Sequence, residues 1–138
     1  MRKLIVALIA FAFIIPLTAC VGSGDKQEEA SESVYKTLSP EDARELIGNE
    51  GVFLVDVRTP QEYSEGHIPQ SLLLPLDDIQ EKAQDVLPDQ YAKVIVYCRS
   101  GRRSALAAKE LLSLGYKDVY DLGGILDWPY ETTTQGIV

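Results

Sequence analysis

The stretch VIVYCRSGRRSALAAKELLSLG, Val94 to Gly115, decides how the chain is built. Lys93 to Tyr97 reads as a strand buried on both faces, because after the lysine it is apolar and rich in β-branched residues. Ser104 to Leu114 reads as a helix, and Gly115 suits the left-handed position that closes one. Between them lies CRSGRRS, Cys98 to Ser104, in which three arginines crowd one cysteine. Strand, short loop and helix in that order form half of a parallel repeat.

The same alternation extends outward. Upstream, Val52 to Val57 is a second nearly continuous apolar run. Ser39-Pro40-Glu41-Asp42 and Thr59-Pro60-Gln61-Glu62 each place a hydroxyl cap, a proline and acid where a helix starts. Ala43, Leu46 and Ile47 would face inward from the first of these helices. Ser71 to Leu74 predicts a short strand, and Asp77 to Val86 a helix with Ile79, Ala83 and Val86 on one side. Downstream, Val119-Tyr120 predicts a last short strand, and Gly123-Gly124 a turn that carries Trp128 and Pro129. The fold class expected is α/β, one domain over 34–138, with a central parallel sheet and helices on both faces. Ligands of such sheets bind beyond the carboxyl ends of the strands, where Cys98 lies.

The chain has 138 residues, a formal net charge of −8, 46% hydrophobic residues and 25% charged ones, which fits a single globular domain. Part of the apolar content is concentrated at the start. Met1-Arg2-Lys3 is basic, and Leu4 to Leu17 is almost wholly apolar, a length suited to a secretory signal and short for a membrane span. Leu17-Thr18-Ala19-Cys20 resembles a bacterial lipobox, which implies cleavage after residue 19 and a diacylglyceryl thioether on Cys20. The alternative is a plain signal peptide or anchor helix with an incidental cysteine. Residues 20–33, rich in Gly, Ser, Glu and Gln, read as a flexible tether. The expected location is the bacterial cell envelope, on the exported side, with the membrane reached through the lipid.

Losing residues 1–19 would leave 11 basic and 21 acidic residues, a net charge of −10. So acidic a body disfavours nucleic acid as a partner and offers anionic lipid no electrostatic pull. Two cysteines make no disulfide framework, and with Cys20 lipidated Cys98 has no partner within the chain.

Arginines around a lone thiol in an acidic chain suggest chemistry. If Cys98 to Arg103 curls into a cup, its backbone N–H groups converge on the centre, Gly101 permits the turn, and the following helix adds its positive end. Such a cup stabilises a thiolate and attracts a small anion. Against this stands a structural cysteine beside a solvated basic loop.

Cys98-Arg99-Ser100-Gly101-Arg102-Arg103-Ser104 resembles the active-site loop of the rhodanese sulfurtransferases. Asp56-Val57-Arg58 with Glu62-Tyr63 and Gly66-His67-Ile68-Pro69 is similar to that family's first motif, and Leu122-Gly123-Gly124 with Trp128 to its last. The likeness spans about Leu38 to Tyr130, and departs at Gln70-Ser71, where the family commonly has Gly-Ala. The resemblance implies a sulfurtransferase in which Cys98 takes sulfur from thiosulfate or a related anionic donor, forms a persulfide, and passes the sulfur to cyanide, a thiol or a dithiol. It implies that the N–H groups of Ser100 to Arg103 hold the persulfide, that Arg99 and Arg102 orient the donor, and that no cofactor or metal is needed. Asp56, Arg58, Glu62 and His67 read as an ion-pair and hydrogen-bond framework, with Arg103 facing the cup or pairing with Asp56. A persulfide carrier or tethered interaction module is one alternative. A cysteine phosphatase or arsenate reductase is another, but those loops hold five residues between Cys and Arg, whereas here four separate Cys98 from Arg103 and Ser104 occupies the next position.

Overall fold

A hydroxyl residue followed by proline starts two of the helices. The computed structural model describes residues 35–136, so the expected signal segment, the tether and Cys20 lie outside the described residues. After the short strand β1 (Lys36–Thr37), Ser39 caps α1 (Pro40–Leu46) by accepting the N–H of Asp42 at 3.1 Å. Strand β2 (Val52–Asp56) leads through Thr59 into α2 (Pro60–Glu65), and β3 (Ser71–Leu73) into a 3-10 turn and α3 (Ile79–Val86). Strand β4 (Lys93–Cys98) feeds α4 (Arg102–Ser113), and β5 (Asp118–Gly124) ends in a second 3-10 turn, Ile125–Asp127.

The five strands form one sheet in the order β1-β5-β4-β2-β3, every neighbouring pair parallel. Alternation along β4 divides the core. Val94, Val96 and Cys98 face one side with Ala83 of α3 and Ala107, Ala108 and Leu111 of α4. Ile95 and Tyr97 face the other with Leu46, Ile47, Leu122 and Trp128. The chain leaves β2 toward β3 on one side and β4 toward β5 on the other. A topological switch point therefore lies between β2 and β4, which opens a crevice at their carboxyl ends. Asp56 and Tyr97 are paired in register there, one residue before Cys98.

Three features differ from the sequence expectation. Helix α4 begins at Arg102 rather than Ser104, because Gly101, at φ +97°, turns the chain into the helix directly. Strand β5 is longer than Val119-Tyr120 and takes in the two glycines expected in a turn. The register skips between Val96 and Tyr97, so that Tyr97 pairs with Gly123 and Cys98 with Gly124. That bulge brings a side-chain-free stretch against the cysteine loop. Strand β1 is two residues long, too short to carry a period, and is pinned to β5 by Lys36 Nζ on Asp118 at 3.0 Å.

Candidate active site

Cys98 ends β4 at 1% exposure, at the carboxyl end of the sheet. The chain then has to reverse into α4 over a few residues. The carbonyl of Arg99 points away toward the end of β5 and accepts the N–H of Leu126 at 3.3 Å. With that carbonyl turned out, following N–H groups turn in. Gly101 N–H donates to Cys98 Sγ at 3.0 Å. Gly124 makes the close approach possible: a Cβ there would collide with the Arg99 carbonyl oxygen and lie 2.7 Å from Ser100 Cα.

Ser104, fully buried on the inner face of α4, completes the surroundings of the sulfur. Its hydroxyl oxygen accepts from the Cys98 thiol at 3.6 Å, and it faces the carbonyls of Gly101 at 3.0 Å and Gly123 at 3.3 Å. Burial pushes the Cys98 thiol up. Against it act the N–H and hydroxyl of Ser104 and the N–H groups of Gly101 and Ser100, and the balance holds the thiol below its ordinary value. The leading stabilisation thus comes from the loop backbone and one hydroxyl, not from the arginines.

The arginines divide. Arg99 and Arg102 are exposed, and neither is in an ion pair among the described residues. Arg103 pairs with Glu62 and not with Asp56. It grips Glu62 of α2 through two bonds, Nη1 to Oε2 at 2.8 Å and Nη2 to Oε1 at 2.7 Å. This pairing, helped by the N–H and hydroxyl of Thr59, brings the Glu62 carboxyl down to about 2.

The expected framework residues stand beside the cup, away from the sulfur's hydrogen bonds. Asp56, wholly buried, accepts from Arg58 through Nε at 2.9 Å and Nη2 at 2.6 Å, and Arg58 Nη2 also reaches the Gly66 carbonyl at 2.7 Å. His67 stacks on Tyr63 with ring centroids 3.7 Å apart, and its ring nitrogens face the carbonyls of Tyr63 at 2.8 Å and Gln135 at 3.1 Å. It ties the end of α2 to the C-terminal segment. Among the described residues no cluster of three or more His, Cys, Asp or Glu is arranged to hold a metal ion. A separate cleft of about 680 Å³, lined by Arg44, Ile68, Gln70, Trp128 and Tyr130, lies apart from the cysteine loop.

A thiol at a strand end, faced by the N–H groups of a tight loop and the start of a helix, can act as a nucleophile toward an anion. Residues 39–130 match the model of the rhodanese-like domain. The chain belongs to the rhodanese-like domain family. It is 41% identical over 87 residues, 62% of this chain and 79% of the relative, to a sulfurtransferase of Allochromatium vinosum. It is 36% identical over 73 residues, 53% of this chain and 70% of the relative, to the thiosulfate sulfurtransferase PspE of Escherichia coli. Among solved structures, a rhodanese-related protein of Thermoplasma volcanium superposes with a TM-score of 0.64 at 32% identity, covering 73% of this chain and all of the other.

Ser104 and Gly124 fall within the motifs quoted from the sequence, but the sequence assigns neither of them a role in the site. Ser104 interrupts an otherwise apolar stripe of α4 with Ala107, Ala108 and Leu111, and a polar residue on a buried face is the signal that marks it. Gly123-Gly124 predicts a turn, whereas a glycine at a strand end signals close backbone approach.

Proposed function

We propose that this rhodanese-like domain is a sulfurtransferase that moves a sulfane sulfur from thiosulfate, or a related anionic donor, to a thiophilic acceptor through a persulfide on Cys98. The observation that carries the reading is the sulfur's position, buried at the end of β4 and hydrogen-bonded by Gly101 N–H at 3.0 Å. The thiolate attacks the outer sulfur of the donor. A new S–S bond forms to Cys98, the donor's own S–S bond breaks, and its electron pair leaves on sulfite. The acceptor then attacks the outer sulfur of the persulfide and expels the Cys98 thiolate. The two displacements need no redox partner and no general base. Loop N–H groups oppose the negative charge as it moves between sulfurs, and the exposed rim arginines, Arg99 and Arg102, orient the anionic end of the donor.

The relatives named sulfurtransferases support this reading, as does the four-residue interval from Cys98 to Arg103. Arg103 is engaged with Glu62 and does not point a free guanidinium at a tetrahedral oxyanion, which weighs against phosphate ester hydrolysis. Intact mass measurement after incubation with thiosulfate tests the proposal. The domain should gain the mass of one sulfur atom and release sulfite in equal amount, and Cys98→Ser should reduce both to background. No mass gain, or aryl phosphate hydrolysis that depends on Cys98, would overturn it.

A further inference from the structure

We infer that Ser104 is a catalytic residue of this site, a hydroxyl that turns between backbone carbonyls and Cys98 Sγ as negative charge leaves and returns to that sulfur. The inference rests on the sulfur-transfer reading for its place in turnover, but its geometric basis is independent of the donor.

In the thiol form Cys98 donates its S–H to Ser104 Oγ at 3.6 Å, and the Ser104 hydroxyl donates to the Gly101 carbonyl at 3.0 Å, with the Gly123 carbonyl at 3.3 Å as second acceptor. A thiolate has no proton to donate. Sulfur then becomes the strongest acceptor in reach, and a rotation about the C–O bond of Ser104 turns the same hydroxyl into its donor. The rotation leaves no orphan at Gly101, because its carbonyl also accepts the Ala105 N–H at 3.2 Å. Ser104 is fully buried, so water does not compete for the hydroxyl.

This adjustable donor has a place in both displacements. While Sγ is the attacking thiolate, the hydroxyl supports it beside Gly101 N–H. Once the new S–S bond forms, the charge sits on the outer sulfur, Sγ becomes a neutral bridging atom, and the hydroxyl returns to the carbonyls. When the acceptor takes the outer sulfur, the S–S bond breaks, its electron pair returns to Sγ, and the hydroxyl turns to meet it. The fixed N–H groups serve charge in the cup at every stage, whereas Ser104 follows the inner sulfur and assists its departure as leaving group.

The test compares Ser104→Ala, Ser104→Thr and Ser104→Val. The last two share a shape and differ only by the hydroxyl, so packing losses cancel between them. The first measurement is the pH dependence of Cys98 alkylation by iodoacetamide, which needs no sulfur donor. Loss of a hydrogen bond to a charged group should raise the midpoint by about one pH unit, roughly tenfold less thiolate at neutral pH, in Val and Ala but not in Thr. The second is discharge of preformed persulfide by cyanide, expected to be slower by about tenfold in Val than in Thr. Equal alkylation midpoints and equal discharge rates for Thr and Val would overturn the inference and leave Ser104 a loop anchor. Failure to form any persulfide, with the midpoint shift present, would sink the sulfur-transfer reading and leave the thiolate role of Ser104 standing.

Discussion

Two turns from strand to helix lie side by side at the carboxyl end of the sheet, and they begin their helices in opposite ways. In the turn from β2 to α2, Thr59 Oγ1 accepts the Glu62 N–H at 3.2 Å and Glu62 returns to accept the Thr59 N–H at 3.0 Å. The helix start is closed by side chains. In the turn from β4 to α4, the residue before the helix is Gly101, which has no side chain to offer, and its N–H goes to Cys98 Sγ. That start is open, and the sulfur takes the place of a capping oxygen. A helix N-terminus carries unsatisfied N–H groups in either case. Whether they serve stability or chemistry is decided by the residue that precedes the helix.

If the closed turn is held by side-chain charge and the open one by backbone approach, they should break differently. The largest loss of stability is expected from Asp56→Asn. Arg58 is 6% exposed and its guanidinium is matched by the Asp56 carboxylate at 2.6 Å. Leaving that cation without its counter-charge should cost about 3–5 kcal/mol, read as a lower urea midpoint. A loss below that of any backbone variant in the neighbouring turn would reverse the comparison.

Gly124→Ala attacks the open turn. The added Cβ meets the Arg99 carbonyl and sits 2.7 Å from Ser100 Cα, so the loop must move off the end of β5. Overpacking of this kind costs about 1–3 kcal/mol. The more telling readout is the thiol, because a displaced loop misaims its N–H groups. Alkylation of Cys98 at neutral pH should slow by about tenfold, the worth of one hydrogen bond to a charged group. Unchanged alkylation would mean that the approach of β5 does not set the cup.

The contrast between the turns also explains what the sequence displays. The closed turn is written in side chains: Thr59, Pro60 and Glu62 spell a capping box in adjacent letters. The strand runs and the helix starts are legible for the same reason, since local pattern and local structure coincide. The open turn is made of backbone directions, which no letter encodes. CRSGRR shows that something anionic belongs there, but not that β5 slips its register by a residue to bring Gly124 beside it. The sequence does not reveal the partner of Arg103, because Glu62 lies 41 residues earlier, on a helix brought near by the β2–β4 pairing. Ser104 faces the sulfur because α4 starts at Arg102, two residues before the expected start.

The smallest effect is expected where the two turns are joined. Glu62 closes its own turn and holds Arg103 of the next. Glu62→Gln keeps a capping-box residue at this position and removes the charge together with one of the two oxygens that accept from Arg103. The side chains are 25% and 32% exposed, so solvent screens the pair and its contribution is about 1 kcal/mol. Its pH dependence has a definite sign. The Glu62 carboxyl is lowered from an ordinary 4.5 to about 2 in the folded chain. Above pH 4.5 the carboxylate is ionised in both folded and unfolded chains, and the stabilisation is fully present. As pH falls from 4.5 toward 2 the unfolded chain takes up the proton first, and the advantage drains away. Parent and Glu62→Gln should therefore differ in urea midpoint at pH 7, differ less at pH 3, and converge near pH 2. Cys98 alkylation should stay close to that of the parent, because the N–H groups that hold the thiolate do not depend on this pair. A constant difference across that range would mean that glutamine is misfitted rather than uncharged. A large fall in alkylation would mean that the closed turn, through Arg103, aims the open one.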